Sequence, residues 1–203
     1  MNDEEQHKEK MQALQKEQRQ KVRQKLIDRG VIIVNTGDGK GKSSSAFGTA
    51  FRALGHGYKV GIVQFIKGKW KTGEQAIFSR FDDIDHVISG EGFTWNTQDK
   101  TKDIAAARKG WDAVVEMIEK TRSGEKDYHL IVLDELNIAL HYEYLPVDEI
   151  VEVIKNKPEK LNIIITGRDA PQKLIDAADT VSEMLPLKHA FDDGIQAQKG
   201  IEF

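Results

Sequence analysis

The chain has 203 residues, of which 39% are hydrophobic and 31% are charged, and it contains no cysteine. This length suits one α/β domain with a sizeable core, and the lack of cysteine excludes disulfides and thiolate metal sites. A formal net charge of −3 gives no general attraction to nucleic acid or to an acidic membrane. The charged N-terminus shows no signal peptide and no apolar run is long enough to span a membrane, so we expect a cytoplasmic protein.

Residues 1–29 form a charged N-terminal arm. The arm is rich in Glu, Lys, Gln and Arg and lacks Gly and Pro, a composition that favours helix. Its few apolar positions are Met11, Leu14, Val22, Leu26 and Ile27. So sparse a set buries little surface, and two interpretations stay open: a solvated or partly disordered helix, and a flexible arm that docks on a site or on another subunit. Residues 30–203 are predicted to form the α/β domain.

A glycine-rich loop follows the first predicted strand, Val31–Asn35, and precedes a predicted helix. The loop ends in Gly41-Lys42-Ser43, the second half of the phosphate-binding pattern G-x-x-x-x-G-K-[ST], although Thr36 stands where that pattern begins with glycine. Glycines let backbone N–H groups approach a phosphate, and the helix N-terminus adds further N–H donors. Without a ligand, the same residues would form only a tight turn between strand and helix.

The strand–loop–helix context favours a phosphate-binding site over a simple turn. In such a site Lys42 brings a positive charge to the outer phosphates, and the Ser43 hydroxyl reaches a bound magnesium ion, so these two are the predicted catalytic residues. The predicted nucleotide-binding residues of the loop are Thr36, Gly37, Asp38, Gly39, Lys40, Gly41, Lys42, Ser43 and Ser44.

Strands and helices alternate along the rest of the chain. The helix after the loop has an apolar face of Phe47, Ala50, Phe51 and Leu54. Later strands are predicted at 58–66, 85–89, 128–135, 161–166 and 180–185. Helices are predicted at 74–80, 104–121, 137–144, 147–154 and 171–178. This alternation predicts one doubly wound, mostly parallel sheet of the P-loop NTPase type, with an N-terminal helical extension.

Two loops follow predicted strands and are therefore expected on the ligand side of an open parallel sheet. The first carries Lys67, Lys69 and Lys71, which either face an anion or belong to an ordinary solvated loop. The second carries Phe93 and Trp95, which either complete the core or form a surface for a flat or bulky apolar ligand. The residues alone leave both choices open.

The apolar strand that begins at Tyr128 ends in two acids, Asp134 and Glu135. An acid at the tip of a buried strand beside a P-loop is the Walker B arrangement, which holds magnesium directly or through water. A helix N-cap explains one of these acids but not both. After a later strand, Arg168 either reaches a phosphate or a nucleotide ring, or pairs with a surface acid. Trp111 lies at helical spacing, which favours a core position.

As a set, these motifs resemble the corrinoid adenosyltransferases of the CobA/CobO/BtuR type. The resemblance covers Gly30–Phe203, and its one clear departure is Ser43, where the family often has threonine. It rests on Thr36-Gly-Asp-Gly-Lys-Gly-Lys-Ser43, Val63-Gln-Phe-Ile-Lys-Gly68, Gly92-Phe-Thr-Trp95, Val132-Leu-Asp-Glu-Leu136, Tyr144-Leu-Pro146, Ile165-Thr-Gly-Arg168 and Lys188-His-Ala-Phe-Asp192, in this order.

The resemblance implies that Co(I) of a corrinoid attacks the 5′ carbon of ATP and that triphosphate leaves. It implies Mg²⁺ or Mn²⁺ as the metal, a homodimer whose arm covers the partner subunit's active site, and a reductase partner such as a flavodoxin. Arg52, Lys67 and Arg168 become further candidates for ATP contacts. Phe93 and Trp95 become corrinoid neighbours that help to remove the lower axial ligand of cobalt, which makes Co(II) easier to reduce.

From the sequence, two residues are candidates for the direct metal ligand, and two other functions compete with adenosyl transfer. The general Walker B pattern favours Asp134 as the direct ligand, whereas the resemblance favours Glu135. An ordinary P-loop NTPase or kinase acting on the γ-phosphate would use Lys42, Ser43 and the same acids without a corrinoid. A non-catalytic nucleotide switch would bind a partner without turnover.

Overall fold

The structure, a computed structural model, describes residues 3–25, 27–66, 72–90 and 100–202. Its strands are β1 (Ile32–Thr36), β2 (Lys59–Gln64), β3 (Ile84–Ile88), β4 (Tyr128–Asp134), β5 (Asn162–Thr166) and β6 (Thr180–Glu183). Its α-helices are α1 (Asp3–Arg23), α2 (Lys42–Gly55), α3 (Gly73–Phe78), α4 (Lys100–Ser123), α5 (Leu136–His141), α6 (Val147–Lys155) and α7 (Gln172–Ala177). A 3₁₀ turn follows at Ala190–Asp193.

The six strands form one parallel sheet in the order β3-β2-β4-β5-β1-β6. All carboxyl ends therefore meet at one edge, where the register pairs Asn35 with Thr166 and Gln64 with Asp134. This confirms the predicted α/β fold with a parallel sheet. The loop of residues 37–41 leaves β1 at this edge, between the ends of β5 and β6.

Helices cover both faces of the sheet, which explains why its central strands are so apolar. On one face, α2 and α3 pack on the sheet, and the rings of Phe47 and Phe78 meet edge-to-face at 5.1 Å. Helices α4 to α7 contribute to the core on the other face. Trp111 is 1% exposed there, and its Nε1 donates a hydrogen bond to Glu149 Oε1 at 2.8 Å, so its predicted core position is confirmed.

The N-terminal extension is helical, as predicted, and every residue of α1 is exposed. Between the arm and the sheet, the Arg29 guanidinium forms a bidentate pair with Asp179, and Asp179 Oδ2 also accepts from the Ile32 N–H at 2.9 Å. This contact fixes the point where the chain enters β1. No helix of the described ranges is both long and apolar enough to cross a membrane.

The last strand is two residues shorter than predicted, because the chain turns to contact the glycine-rich loop. The Met184 N–H donates to the Thr36 carbonyl at 2.9 Å, and the Met184 carbonyl accepts from the Gly39 N–H at 2.6 Å. Further on, Lys40 and Glu202 form an ion pair. The C-terminal segment therefore lies beside the loop.

Candidate active site

The glycine-rich loop has the strand–loop–helix form that its sequence predicts. Gly37 and Gly41 have φ values of +90° and +109°, in the left-handed region where a side chain would be strained. A Cβ at Gly37 would lie 2.6 Å from the Met184 carbonyl oxygen, and a Cβ at Gly39 would lie 2.7 Å from it. Gly37 and Gly41 therefore turn the chain, and the lack of side chains at Gly37 and Gly39 lets the loop approach the end of β6.

Lys42, the first residue of α2, is buried and folds back over the loop. Its Nζ donates to the Gly39 carbonyl at 2.7 Å. Burial lowers the pKa of Lys42, while the negative charges of Glu135 and Asp38 oppose that shift. The loop thus holds a cation next to an acid delivered by β4.

A residue that was not singled out from the sequence, Asn35, fixes the first turn of α2. Its Nδ2 donates to Ser45 Oγ at 2.8 Å, and that hydroxyl donates to the Lys42 carbonyl at 3.0 Å. Ser43 is half-buried and Ser44 exposed in the same turn. The turn that presents Lys42 is therefore fastened to the end of β1.

A row of four polar side chains runs across the carboxyl edge of the sheet from β3 to β5, and we call it the polar row: His86, Gln64, Asp134 and Thr166. His86 Nε2 lies 2.9 Å from Gln64 Oε1, and Gln64 Nε2 donates to Asp134 Oδ2 at 2.9 Å. On the other side, Thr166 Oγ1 donates to Asp134 Oδ1 at 2.8 Å. Gln64, Asp134 and Thr166 are each 0% exposed.

The hydrogen-bonding roles in the polar row follow from chemistry. An ionised carboxylate only accepts, so Gln64 must turn its NH₂ group to Asp134 and its oxygen to His86. His86 must then carry a proton on Nε2 to donate to that oxygen. Each oxygen of Asp134 is thereby bonded to a donor from a neighbouring strand, a contact that a scan of local motifs cannot find.

Glu135 differs from Asp134 in conformation and surroundings. Its φ is +64°, in the left-handed region that non-glycine residues rarely adopt, and its N–H donates to Thr166 Oγ1 at 3.0 Å. A Cβ on Gly167 would lie 3.3 Å from Glu135 Oε2, and the Glu135 charge acts on Lys42. A strained backbone thus turns Glu135 toward the loop, as is common at functional sites.

The segment after β5 is tied to the loop at two points. Thr36 Oγ1 accepts from the Ala170 N–H at 3.1 Å, and Arg168 Nε lies 3.4 Å from Asp38 Oδ1. Arg168 was expected either to reach a phosphate or to pair with a surface acid. It pairs with Asp38, and Asp38 belongs to the predicted phosphate loop. Asn137 Nδ2 donates to the Gly167 carbonyl at 2.9 Å and holds this segment from α5.

The structure does not bring every predicted site residue to the loop. Arg52 lies ten positions beyond Lys42 on α2, about 15 Å along the helix axis. It lines a cavity at the amino ends of the strands, at the opposite edge of the sheet. The predictions for Lys67, Phe93 and Trp95 lie outside the described residues.

The donor set of the loop suits a magnesium ion bound together with phosphates. Within the described ranges, no group of three or more His, Cys, Asp or Glu side chains is placed to bind a metal. Mg²⁺ is usually held by one or two carboxylates together with substrate phosphates and waters. The Ser43 hydroxyl and a carboxylate from the end of β4 fit that requirement.

A parallel α/β sheet with a glycine-rich loop after β1 and acids after β4 defines a P-loop nucleotide-binding protein. Residues 28–203 match the family described as ATP:corrinoid adenosyltransferase BtuR/CobO/CobP, and the chain belongs to this family. The family confirms the resemblance drawn from the motifs and does not favour γ-phosphate transfer.

Three curated relatives span nearly the whole chain. A corrinoid adenosyltransferase of Pseudomonas aeruginosa is 48% identical over 97% of this chain and 95% of its own length. The corrinoid adenosyltransferase of Escherichia coli is 44% identical, with 90% of each chain covered. The corrinoid adenosyltransferase CobA of Salmonella typhimurium is 43% identical, with 90% of each chain covered.

Proposed function

We propose that this enzyme transfers the 5′-deoxyadenosyl group of ATP to Co(I) of a corrinoid while residues 36–44 hold the triphosphate as the leaving group. The observation that carries the proposal is the convergence of Lys42 and Glu135 on a loop turned by left-handed glycines. Cation, acid and helix N-terminus meet where a phosphate chain would lie.

The step balances without a protein nucleophile or a proton transfer. Co(I) of the corrinoid substrate supplies both electrons of the new Co–C bond, so cobalt becomes Co(III). The bond between C5′ and its ester oxygen breaks, and its electron pair stays on the leaving triphosphate. The added negative charge there is what loop N–H groups and Lys42 stabilise, and the loop also holds C5′ in line for attack.

For the metal, we assign Ser43 and Glu135 as the residues that would hold Mg²⁺ and Asp134 as the residue that positions this edge of the sheet. Support comes from the surroundings of each acid, since both oxygens of Asp134 already accept from Gln64 and Thr166. When bound, Mg²⁺ would neutralise part of the charge on the leaving triphosphate.

The experiment separates adenosyl transfer from phosphoryl transfer by the product that leaves. ATP is incubated with the enzyme in the presence and in the absence of prereduced Co(I) corrinoid, and phosphates are resolved by chromatography. We expect triphosphate in amounts equal to the alkylated corrinoid, and only when Co(I) is present. Release of ADP and phosphate regardless of corrinoid would contradict the proposal and favour an NTPase or kinase.

For the corrinoid side, the sequence supports Phe93 and Trp95 as neighbours that help to remove the lower axial ligand of cobalt. Trp95→Ala should then reduce the rate from Co(II) corrinoid plus reductant more than the rate from prereduced Co(I). Equal losses in the two assays would exclude Trp95 from the reduction step.

The assembly proposal is a cytoplasmic homodimer, supplied with electrons by a flavodoxin-like reductase, in which the arm of residues 1–29 covers the partner subunit's site on domain 30–203. In support, Met11 and Leu14 of α1 are each 43% exposed, and an isolated helix gains little stability in water without a surface to pack on. Sedimentation equilibrium of the full chain tests this, because a monomer at all concentrations would exclude the dimer.

A further inference from the structure

A cavity of about 240 Å³ lies at the amino ends of the strands, between the last turns of α2 and the sheet. Its floor is formed by Ile33, Leu130 and Ile164, and its lining includes Arg52, Tyr58 and His129. Because all strands are parallel, this edge is opposite the edge that carries the glycine-rich loop. The cavity is therefore separate from the ATP site.

The size and shape of the cavity restrict what it can hold. A protein cavity of about 150 Å³ lined by apolar side chains is known to bind benzene. A volume of about 240 Å³ therefore admits one aromatic ring with a small substituent, but not a nucleotide. The rings of Tyr58 and His129 stack at 4.0 Å with an angle of 10° between them, so one wall offers flat aromatic surface.

Arg52 brings a positive charge to the cavity and is exposed to solvent there. The Arg52 guanidinium forms no hydrogen bond or ion pair with another residue of the described ranges. A guanidinium binds a carboxylate through two parallel hydrogen bonds, which is its preferred partner among small anions together with phosphate. No acidic side chain contributes to the cavity lining.

Hydrogen bonds of Asn162 fix the position of His129 in the aromatic wall. Asn162 Oδ1 accepts from the Val31 N–H at 3.0 Å, so its Nδ2 faces His129, donating to the His129 carbonyl at 2.9 Å and lying 3.4 Å from His129 Nε2. Asn162 thus holds His129 in place beside Tyr58.

We propose that this cavity is a second binding site, for a monocyclic aromatic carboxylate. The ring of the ligand lies on the apolar floor against Tyr58 and His129, and its carboxylate pairs with Arg52. An inorganic anion would use only the charge of Arg52, and a neutral ring would use only the apolar and aromatic lining. Only a ligand with both parts uses both features.

Benzoate is the probe, titrated into the full-length ¹⁵N-labelled protein and followed by amide chemical shifts. Cyclohexanecarboxylate, which lacks the aromatic face, and benzyl alcohol, which lacks the charge, are the matched ligands. We expect benzoate to bind in the millimolar range or tighter, and both matched ligands to bind at least about tenfold more weakly. Shifts should concentrate at the last turn of α2 and the starts of β4 and β5.

Arg52→Gln should weaken benzoate binding about tenfold or more, whereas Arg80→Gln, at an exposed arginine outside the cavity, should leave it unchanged. Arg52→Lys, which keeps the charge but not the planar fork, should fall between them, and the unperturbed remainder of the spectrum shows that each variant is folded. Saturating ATP should not displace benzoate. No binding by benzoate, equal binding by all three ligands, or equal affinity in Arg52→Gln and Arg80→Gln would overturn the proposal.

Discussion

The two edges of the sheet share the same apolar strands but differ in how their polar groups are used. At the carboxyl edge, Gln64, Asp134 and Thr166 are fully buried and joined by hydrogen bonds of 2.8 to 2.9 Å. At the amino edge, Arg52 borders an open cavity and makes no such bond to a described residue. At the carboxyl edge the polar groups are buried and bonded to one another, whereas at the amino edge a cavity is open and the Arg52 charge pairs with no described residue.

This difference separates two ways of building a binding site. Buried polar groups that satisfy one another resist rearrangement, because breaking any bond leaves a desolvated group without a partner. The carboxyl edge is thus held in one geometry, which suits the alignment of a leaving group. The amino edge has space and a free donor, which suits reversible binding of a small ligand.

The largest effect is expected at Lys42. Lys42→Ala removes the charge that the proposed mechanism places against the leaving triphosphate, so adenosyl transfer should fall by about 10²–10³-fold or more in kcat. Initial rates of Co–C bond formation, read from the corrinoid absorbance, measure this.

Lys40→Ala is the matched control for Lys42→Ala. Lys40 lies in the same loop, but it is exposed and pairs with Glu202, so the loss should be only a few-fold. The thermal stability of Lys42→Ala should not fall, since a buried ammonium is replaced. Similar rates for both variants would mean that the loop contributes no specific charge stabilisation.

A smaller effect is expected in the polar row. Gln64→Leu removes the donor to Asp134 Oδ2 and the acceptor for His86, and should lower the free energy of unfolding by about 1–3 kcal/mol. Because Asp134 then loses its fixed orientation, kcat should fall by roughly 10- to 100-fold while KM for ATP changes less. Urea unfolding and steady-state kinetics provide both numbers.

Gln75→Leu gives the comparison for Gln64→Leu. The Gln75 Nε2 is buried but has no hydrogen-bond partner in the described part of the chain, so an apolar replacement should be neutral or stabilising. If Gln64→Leu behaved like Gln75→Leu in both assays, the polar row would have no part in holding the carboxyl edge.

The contrast between the edges also explains how much the sequence predicts. Alternating apolar strands and helices predicted the fold, and Gly41-Lys42-Ser43 together with Asp134-Glu135 indicated the site, because these signals are local. Gln64 and Asp134 are 70 positions apart and meet only through the strand order. A polar residue inside the otherwise apolar run Val60–Ile66 was the signal available for Gln64.

Other features depend on distances that sequence motifs do not contain. Arg52 was expected at the nucleotide, but each helical residue advances about 1.5 Å, and α2 carries this arginine to the opposite edge. The lack of side chains at Gly37 and Gly39 also leaves room for Met184, a neighbour that only the position of β6 reveals.

The smallest predicted effect lies at the amino edge, where Asp179 pairs with Arg29. The hydrogen bond from Arg29 lowers the pKa of Asp179 from 3.8 to about 2. Because the folded pKa lies below the unfolded one, this contact stabilises the fold above about pH 4, and the stabilisation is lost as the pH falls toward about 2. Asp179→Asn keeps an acceptor for the Ile32 N–H, and with solvent screening it should cost about 1 kcal/mol at pH 7.

Urea unfolding of wild type and Asp179→Asn at several pH values measures this difference, which should shrink toward zero near pH 2. Glu119→Gln, at an exposed pair with Arg122, should change stability by less than about 0.5 kcal/mol at every pH. A loss at Asp179 that does not depend on pH would assign the effect to packing rather than charge. If Asp179→Asn lowered the free energy of unfolding as much as Gln64→Leu does, the contrast between the two edges would be lost. The exposed pair would then stabilise the amino edge as strongly as the buried polar row stabilises the carboxyl edge.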